Sequence, residues 1–101
     1  MGMDLYGNWK KGTPQNISNE GDPHLHYNWT GWRFLQEFLE TNGVDIEEFS
    51  GSNDGDLISR KTCKAVAECI EKNINQLAKT NQVWLWPHIK YWKWIRNYRQ
   101  Y

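Results

Sequence analysis

Apolar residues recur at helical spacing in two segments of the chain. The first segment predicts a helix over 30–42 with Thr30 as its N-cap. The second predicts a longer helix over 59–79 with Ser59 as its N-cap. The periodic positions are Trp32, Leu35, Phe38 and Leu39 in the first segment, and Cys63, Val66, Ala67, Ile70, Ile74, Leu77 and Ala78 in the second. Each helix therefore presents one apolar stripe to a core.

Polar and apolar residues alternate near the N-terminus. Residues 3–6 alternate in this way and predict a short strand, and residues 24–29 predict a second strand that could pair with the first. Turn-forming residues dominate 10–23, which we expect to be a loop. The N-terminal part is thus predicted to be a small β-hairpin or extended segment.

The last nineteen residues, 83–101, combine aromatic and basic side chains. They contain four of the seven tryptophans, three of the five tyrosines and four Lys or Arg, with no acidic residue. Pro87 suits the first turn of a helix, where its missing N–H costs nothing, so a third helix is predicted over 87–99. Its apolar arc is wider than one core contact requires, so we expect part of it to meet solvent or a partner.

These elements predict a single domain over 1–101 with an α+β fold that is mainly helical. It would contain about three helices, at 30–42, 59–79 and 87–99, and the small N-terminal hairpin. A chain of 101 residues has room for one core. The net charge is zero, but acidic residues concentrate in 37–56 and basic residues after position 71, and we expect the two groups to face each other.

The sequence has no apolar run long enough for a membrane span and no secretion signal, so a protein of the bacterial host cytoplasm, without membrane contact, is expected. Cys63 and Cys69 lie six residues apart on one predicted helix, about 9 Å along its axis, which is too far for a disulfide. Two reduced, packed thiols are therefore predicted.

Three stretches of the chain carry a resemblance. They are the opening Met-Gly-Met-Asp-Leu-Tyr-Gly, the tract from Tyr27 to Leu35, and Ser-Asn-Asp-Gly-Asp-Leu-Ile over 52–58. In this order they resemble a loose group of small uncharacterised bacterial and phage-encoded proteins, although the Gly-Gly-Phe segment that ends those chains is missing here. The resemblance implies shared origin and fold but no particular activity. Because phages encode many small proteins that bind host proteins or signalling nucleotides, it favours a binding role.

Acidic and imidazole side chains offer an alternative chemistry. His24 and His26 would share one face of a strand, and with Asp54 they could serve a small metal-dependent enzyme. Against this, Asp54 and Asp56 are not followed by the ligands of an EF-hand, and the cysteines lack metal-site spacing. We therefore expect no metal, no cofactor and no catalytic residue.

The preferred prediction is a non-catalytic small binding protein, a phage or mobile-element accessory of the anti-defence type. Its rings would stack on a nucleotide-like ligand while its basic side chains meet phosphate, and duplex nucleic acid has no strong case. The alternative is an inhibitor that binds a host protein, since Trp, Tyr and Arg dominate interfaces. An uncovered aromatic face also makes a homodimer possible. The predicted binding residues are Trp86, Lys90, Tyr91, Lys93, Trp94, Arg96, Tyr98 and Arg99.

Overall fold

A computed structural model describes residues 2–50 and 54–101. Its four strands form one antiparallel sheet, and its helices lie mainly after the first two strands in sequence. The strands are β1 (Gly2–Trp9), β2 (His24–Asn28), β3 (Leu57–Ile58) and β4 (Ile95–Gln100). The helices are α1 (Gln15–Ser18), α2 (Trp29–Thr41), α3 (Arg60–Lys72), α4 (Ile74–Lys79), a 3₁₀ helix (Val83–His88) and α5 (Ile89–Lys93). The order of strands across the sheet is β2-β1-β4-β3.

The predicted fold class, mainly helical with about three helices, is wrong. The predicted helix over 87–99 ends at Lys93, and the following residues form β4, a central strand between β1 and β3. A β-bulge explains the error: the register shifts between Asn8 and Trp9, so that Trp9 pairs with Ile95 while Asn8 pairs with Asn97. The extra residue places the buried Ile95 and Tyr98 three positions apart, a spacing typical of a helix.

The predicted helix over 59–79 is divided in two. It ends as α3 at Lys72, where the Asn73 side-chain amide donates to the Cys69 carbonyl at 2.8 Å, and α4 begins at Ile74. An Asn side chain that bonds the preceding turn competes with the helix backbone in this way. The Ser59 side chain accepts from the Thr62 N–H at the N-terminus of α3.

The helix predicted over 30–42 begins one residue earlier than expected. Asn28 rather than Thr30 is its N-cap, because the Asn28 side chain accepts from the Gly31 N–H at 2.7 Å. Just before it, β2 pairs with β1, and Met3 lies opposite Tyr27. The turn-forming sequence over 51–56 also predicts a turn, and that prediction lies partly outside the described residues.

The core lies between the helices and one face of the sheet. The C-terminal segment contributes several of its largest side chains, since Trp92, Ile95 and Tyr98 are fully buried together with Trp32 of α2. Burying one large apolar side chain contributes roughly 1.5 to 3 kcal/mol. Within 2–50 and 54–101, no helix is long and apolar enough to cross a membrane.

Gln100 of β4 is the buried polar side chain that holds the acidic connection between α2 and β3 against the sheet. Its carbonyl oxygen accepts from the Ser50 N–H at 2.7 Å, and its amide nitrogen donates to the carbonyls of Glu48 and Asp56 at 2.9 and 3.2 Å. The end of the chain thus fixes both sides of this connection.

Candidate functional site

A groove beside Trp94 brings together part of the predicted aromatic and basic surface. We call it the Trp94 groove; it encloses about 320 Å³ between α3, the end of α5 and the residue that follows β1. Its lining consists of Lys10, Arg60, Lys64, Ala67, Glu68, Glu71, Lys93 and Trp94.

The backbone of the β1–β4 pair positions the groove. Trp94 ends α5 immediately before β4, and Lys10 immediately follows β1. The Lys10 N–H donates to the Trp94 carbonyl at 2.8 Å, and the Thr13 hydroxyl donates to the Lys10 carbonyl at 2.6 Å. Because the bond between Lys10 and Trp94 continues the β1–β4 pairing by one step, the two side chains are held at one end of the sheet.

Two lysine ammonium groups lie close to the Trp94 ring. The Lys10 ammonium lies 4.9 Å from the ring centroid, and the Lys93 ammonium lies 5.8 Å from it. Both distances are within the range of cation–π attraction, which contributes roughly 0.5 to 1 kcal/mol at exposed sites. The indole is therefore kept in an electropositive setting while remaining partly exposed.

Four basic and two acidic side chains line the groove. Glu71 approaches Lys93 at 3.8 Å and compensates one of the charges. The Arg60 guanidinium donates to the carbonyls of Ile95 and Trp92 at 2.7 and 3.4 Å, so it ties α3 to the start of β4 as well as adding charge. The lining thus carries a net formal charge of plus two, from four basic and two acidic residues.

The remaining predicted residues are spread over other surfaces. Lys90 pairs with Glu20 at 2.8 Å, which holds the pKa of the lysine above its ordinary value. Tyr91 stacks on Trp9 with centroids 5.7 Å apart. Trp86 is 39% exposed on the 3₁₀ helix.

The two arginines and Tyr98 belong to β4, and one of these assignments needs correction. Arg96 and Arg99 are exposed, and Arg99 donates to the Gly55 carbonyl at 3.1 Å. Tyr98 is fully buried, its hydroxyl donates to the Tyr91 carbonyl at 3.0 Å, and burial raises its pKa. Tyr98 is therefore a core residue, because the strand that replaces the predicted helix turns it inward.

The two strand histidines do share one face, but their acidic partner is Asp4 rather than Asp54. His24 Nε2 and His26 Nδ1 each lie 3.0 Å from the same Asp4 carboxylate oxygen, and these bonds lower the pKa of Asp4. Asp54 precedes β3, at the opposite edge of the sheet from β2. A search of residues 2–50 and 54–101 finds no group of three or more His, Cys, Asp or Glu that could hold a metal ion.

A second polar network lies where β2 meets the 3₁₀ helix. The Trp92 indole N–H donates to the Tyr27 hydroxyl at 3.2 Å, and the Tyr27 hydroxyl lies 2.8 Å from His88 Nδ1. Burial lowers the pKa of His88 and raises that of Tyr27, so the neutral imidazole accepts from the phenol. This network orients His88 beside the partly exposed Trp84.

The cysteines are free and buried, and burial raises the pKa of Cys63 to about 12. Both thiols are thus packing groups rather than nucleophiles.

Sequence reasoning missed Lys10, Arg60 and Lys64 as groove residues. Lys10 lies in the loop predicted over 10–23, and Arg60 and Lys64 lie outside the apolar stripe of the helix predicted over 59–79. The bulged β1–β4 pairing brings Lys10 to Trp94, and the packing of α3 against α5 and β4 brings Arg60 and Lys64 there. These long-range contacts have no local signal. Comparison with known proteins found no family model, no curated protein and no solved structure that matches the chain.

Proposed function

We propose that this is a non-catalytic binding protein that takes a nucleotide-like anionic ligand in the Trp94 groove. The observation that carries the proposal is the Trp94 ring with the ammonium groups of Lys10 and Lys93 within 6 Å of its centroid. A flat base would stack on the exposed part of the indole, and the phosphate would meet the basic side chains around it.

The proposed binding mode divides the lining into ligand-contacting and supporting residues. Lys10 and Lys64 contribute ammonium groups to the groove. Within the described residues, neither ammonium group forms an ion pair. Arg60 is a supporting residue, since its guanidinium is bonded to the backbone at the start of β4. Glu68 and Glu71 would repel a second phosphate placed near α3, which favours ligands whose phosphate lies on the Lys10 side.

The resemblance to small phage-encoded proteins supports an accessory role of the anti-defence type, exerted in the cytoplasm of the bacterial host. In such a role the protein would sequester a signalling nucleotide. A binding protein needs no catalytic group for this function, because removal of the free ligand is sufficient.

Isothermal titration with mononucleotides and with cyclic di- and trinucleotides tests the proposal. We expect at least one of these ligands to bind, and Trp94→Ala to weaken it about tenfold or more, because base stacking contributes roughly 1 to 3 kcal/mol. Lys64→Ala should weaken binding less and mainly at low salt. The matched controls Trp86→Ala and Lys72→Ala remove side chains of the same types outside the groove, and the affinity should stay unchanged in both. If no nucleotide binds, or if Trp94→Ala binds as well as the wild type, the proposal fails.

A protein partner is the second candidate, favoured by one exposed apolar surface. Val83, Trp84 and Trp86 are 42%, 37% and 39% exposed on consecutive turns of the 3₁₀ helix. Exposed tryptophans of this kind anchor protein interfaces, including those between two copies of one chain. Light scattering of the wild type and of Trp86→Ala checks the homodimer. A dimer that dissociates in the variant supports this use of the surface, and a monomeric wild type at micromolar concentration contradicts it.

A further inference from the structure

The face of the sheet that points away from the helices carries an ordered set of rings and polar groups. Burial alternates along the strands, so Leu5, Leu25 and Tyr27 point into the core while their neighbours point outward. We call the outward set the outer sheet face; it consists of Asp4, Tyr6 and Asn8 of β1, His24 and His26 of β2, Leu57 of β3, Asn97 and Arg99 of β4, and Tyr101.

Tyr6 is the centre of this face. Its ring is 48% exposed and stacks on the His24 imidazole with centroids 4.4 Å apart and an angle of 3° between the planes. The Tyr101 ring, 49% exposed, has its centroid 6.0 Å from that of Tyr6, with an angle of 61° between the planes. The Tyr101 backbone exchanges two hydrogen bonds with Asp4, which fixes the last residue of the chain to the sheet. Three rings therefore lie next to one another on this face of the sheet.

Basic side chains flank the rings. Tyr6 lies opposite His24 on one side and Arg99 on the other, so an imidazole, a phenol and a guanidinium form one row across three strands. One bond of Arg99 goes to the Gly55 carbonyl, and a guanidinium has five N–H donors, so further donors remain for a ligand. Arg96 adds a second exposed guanidinium at the bulge.

The acidic groups near this face occupy defined places. The Asp4 carboxylate is bonded by both histidines at 3.0 Å, which holds it on the β2 side of Tyr6. Asp56 precedes β3 at the edge of the sheet and disfavours a phosphate there. A phosphate chain is thus directed along β4, past Arg99 and Arg96.

We propose that the outer sheet face binds single-stranded nucleic acid, with bases stacked on Tyr6 and Tyr101 and phosphates beside Arg99 and Arg96. Rings on a flat sheet reach only bases that are unpaired, because the faces of paired bases are covered within a duplex. The amides of Asn8 and Asn97, which lie opposite each other, provide donors and acceptors for base edges. The inference is independent of ligand binding in the Trp94 groove.

Fluorescence anisotropy with labelled single-stranded RNA and DNA homopolymers, and with a duplex of equal length, tests the inference. We expect the single strands to bind more tightly than the duplex. Tyr6→Ser combined with Tyr101→Ser should weaken binding about tenfold or more, because two stacking rings are lost. Arg99→Gln should weaken it and reduce the slope of log affinity against log salt by about one.

The control variants distinguish a loss of affinity caused by removal of the stacking rings from one caused by a less stable fold. Tyr6→Phe keeps a stacking ring and should retain the affinity, and Trp29→Ala removes an exposed ring of α2 and should do the same. The inference is overturned if no single strand binds, if the duplex binds equally well, or if the Tyr6/Tyr101 double variant binds like the wild type. It is also overturned if only Trp94→Ala abolishes oligonucleotide binding, since the strand would then occupy the groove. Mononucleotide affinity measured in the Tyr6/Tyr101 variant keeps the two sites distinguishable.

Discussion

At the scale of single residues, His88 connects burial with a measurable dependence on pH. Burial among Tyr27, Trp84 and the 3₁₀ helix keeps its imidazole neutral, and Nδ1 accepts from the Tyr27 hydroxyl. The pKa of His88 is lowered from 6.5 in the folded protein. The unfolded chain therefore binds more protons than the folded one as the pH falls below that value.

We predict that His88 makes the free energy of unfolding dependent on pH. Its contribution is fully present above pH 6.5 and is lost as the pH falls from 6.5 to the lower folded pKa. Denaturant unfolding of wild type and His88→Gln at about pH 7.5 and about pH 5.5 measures it. The variant should be less stable than the wild type at the higher pH and lose less on acidification. His26→Gln, on the outer sheet face, is the matched control and should retain the His88 contribution; equal pH dependence in wild type and His88→Gln would refute the assignment.

At the scale of elements, β4 decides both the fold and the position of the site. Arg96 lies at the bulge of β4 opposite Trp9. Trp94, the residue just before β4, accepts a backbone hydrogen bond from Lys10. Gly7 allows the close approach of the two strands, because a side chain there would collide with the Asn97 carbonyl oxygen. The strand thus links the groove, the outer sheet face and the core.

The buried amide of Gln100 gives a prediction for this element. Gln100→Ala removes three hydrogen bonds to the connection between α2 and β3, and leaves the Ser50 N–H without this acceptor. We expect the free energy of unfolding to fall by about 2 to 4 kcal/mol. Chemical denaturation measures the change, and Arg99→Ala, one position earlier on the exposed face, should cost far less. A loss below about 0.5 kcal/mol for Gln100→Ala would show that the connection is held by other contacts.

The sequence predicts the elements whose residue pattern depends on local spacing alone. It does not predict the element whose pattern is altered by long-range strand pairing. The stripes of α2 and α3 and the alternation of β1 and β2 follow from residue spacing, and these segments form the expected kinds of element. The pattern of β4 is altered by one inserted residue, which makes Ile95, Tyr98 and their neighbours look helical. Lys10 becomes a neighbour of Trp94 only through that pairing, and Lys64 only through the packing of α3 against α5 and β4.

At the scale of the whole molecule, the aromatic C-terminal segment is divided among three uses. Trp92, Ile95 and Tyr98 complete the core, Trp94 forms the groove with cations from α3 and from the residue after β1, and Arg99 and Tyr101 extend the outer sheet face. Because the helices pack on one face of the sheet, the other face is accessible to a ligand. The two proposed binding functions would therefore use two separate surfaces of the protein.

The most direct measurement is a titration of ¹⁵N-labelled protein with a nucleotide that binds it, followed through the NMR signals of the indole N–H groups. The chain has seven tryptophans, and single Trp→Phe variants assign their signals. We expect the Trp94 indole signal to shift with saturation behaviour on addition of nucleotide, while the signals of Trp86 and Trp29 stay in place. A Trp94 signal that remains unchanged at ligand concentrations that shift another indole, or that saturate binding in calorimetry, would contradict nucleotide binding in the Trp94 groove.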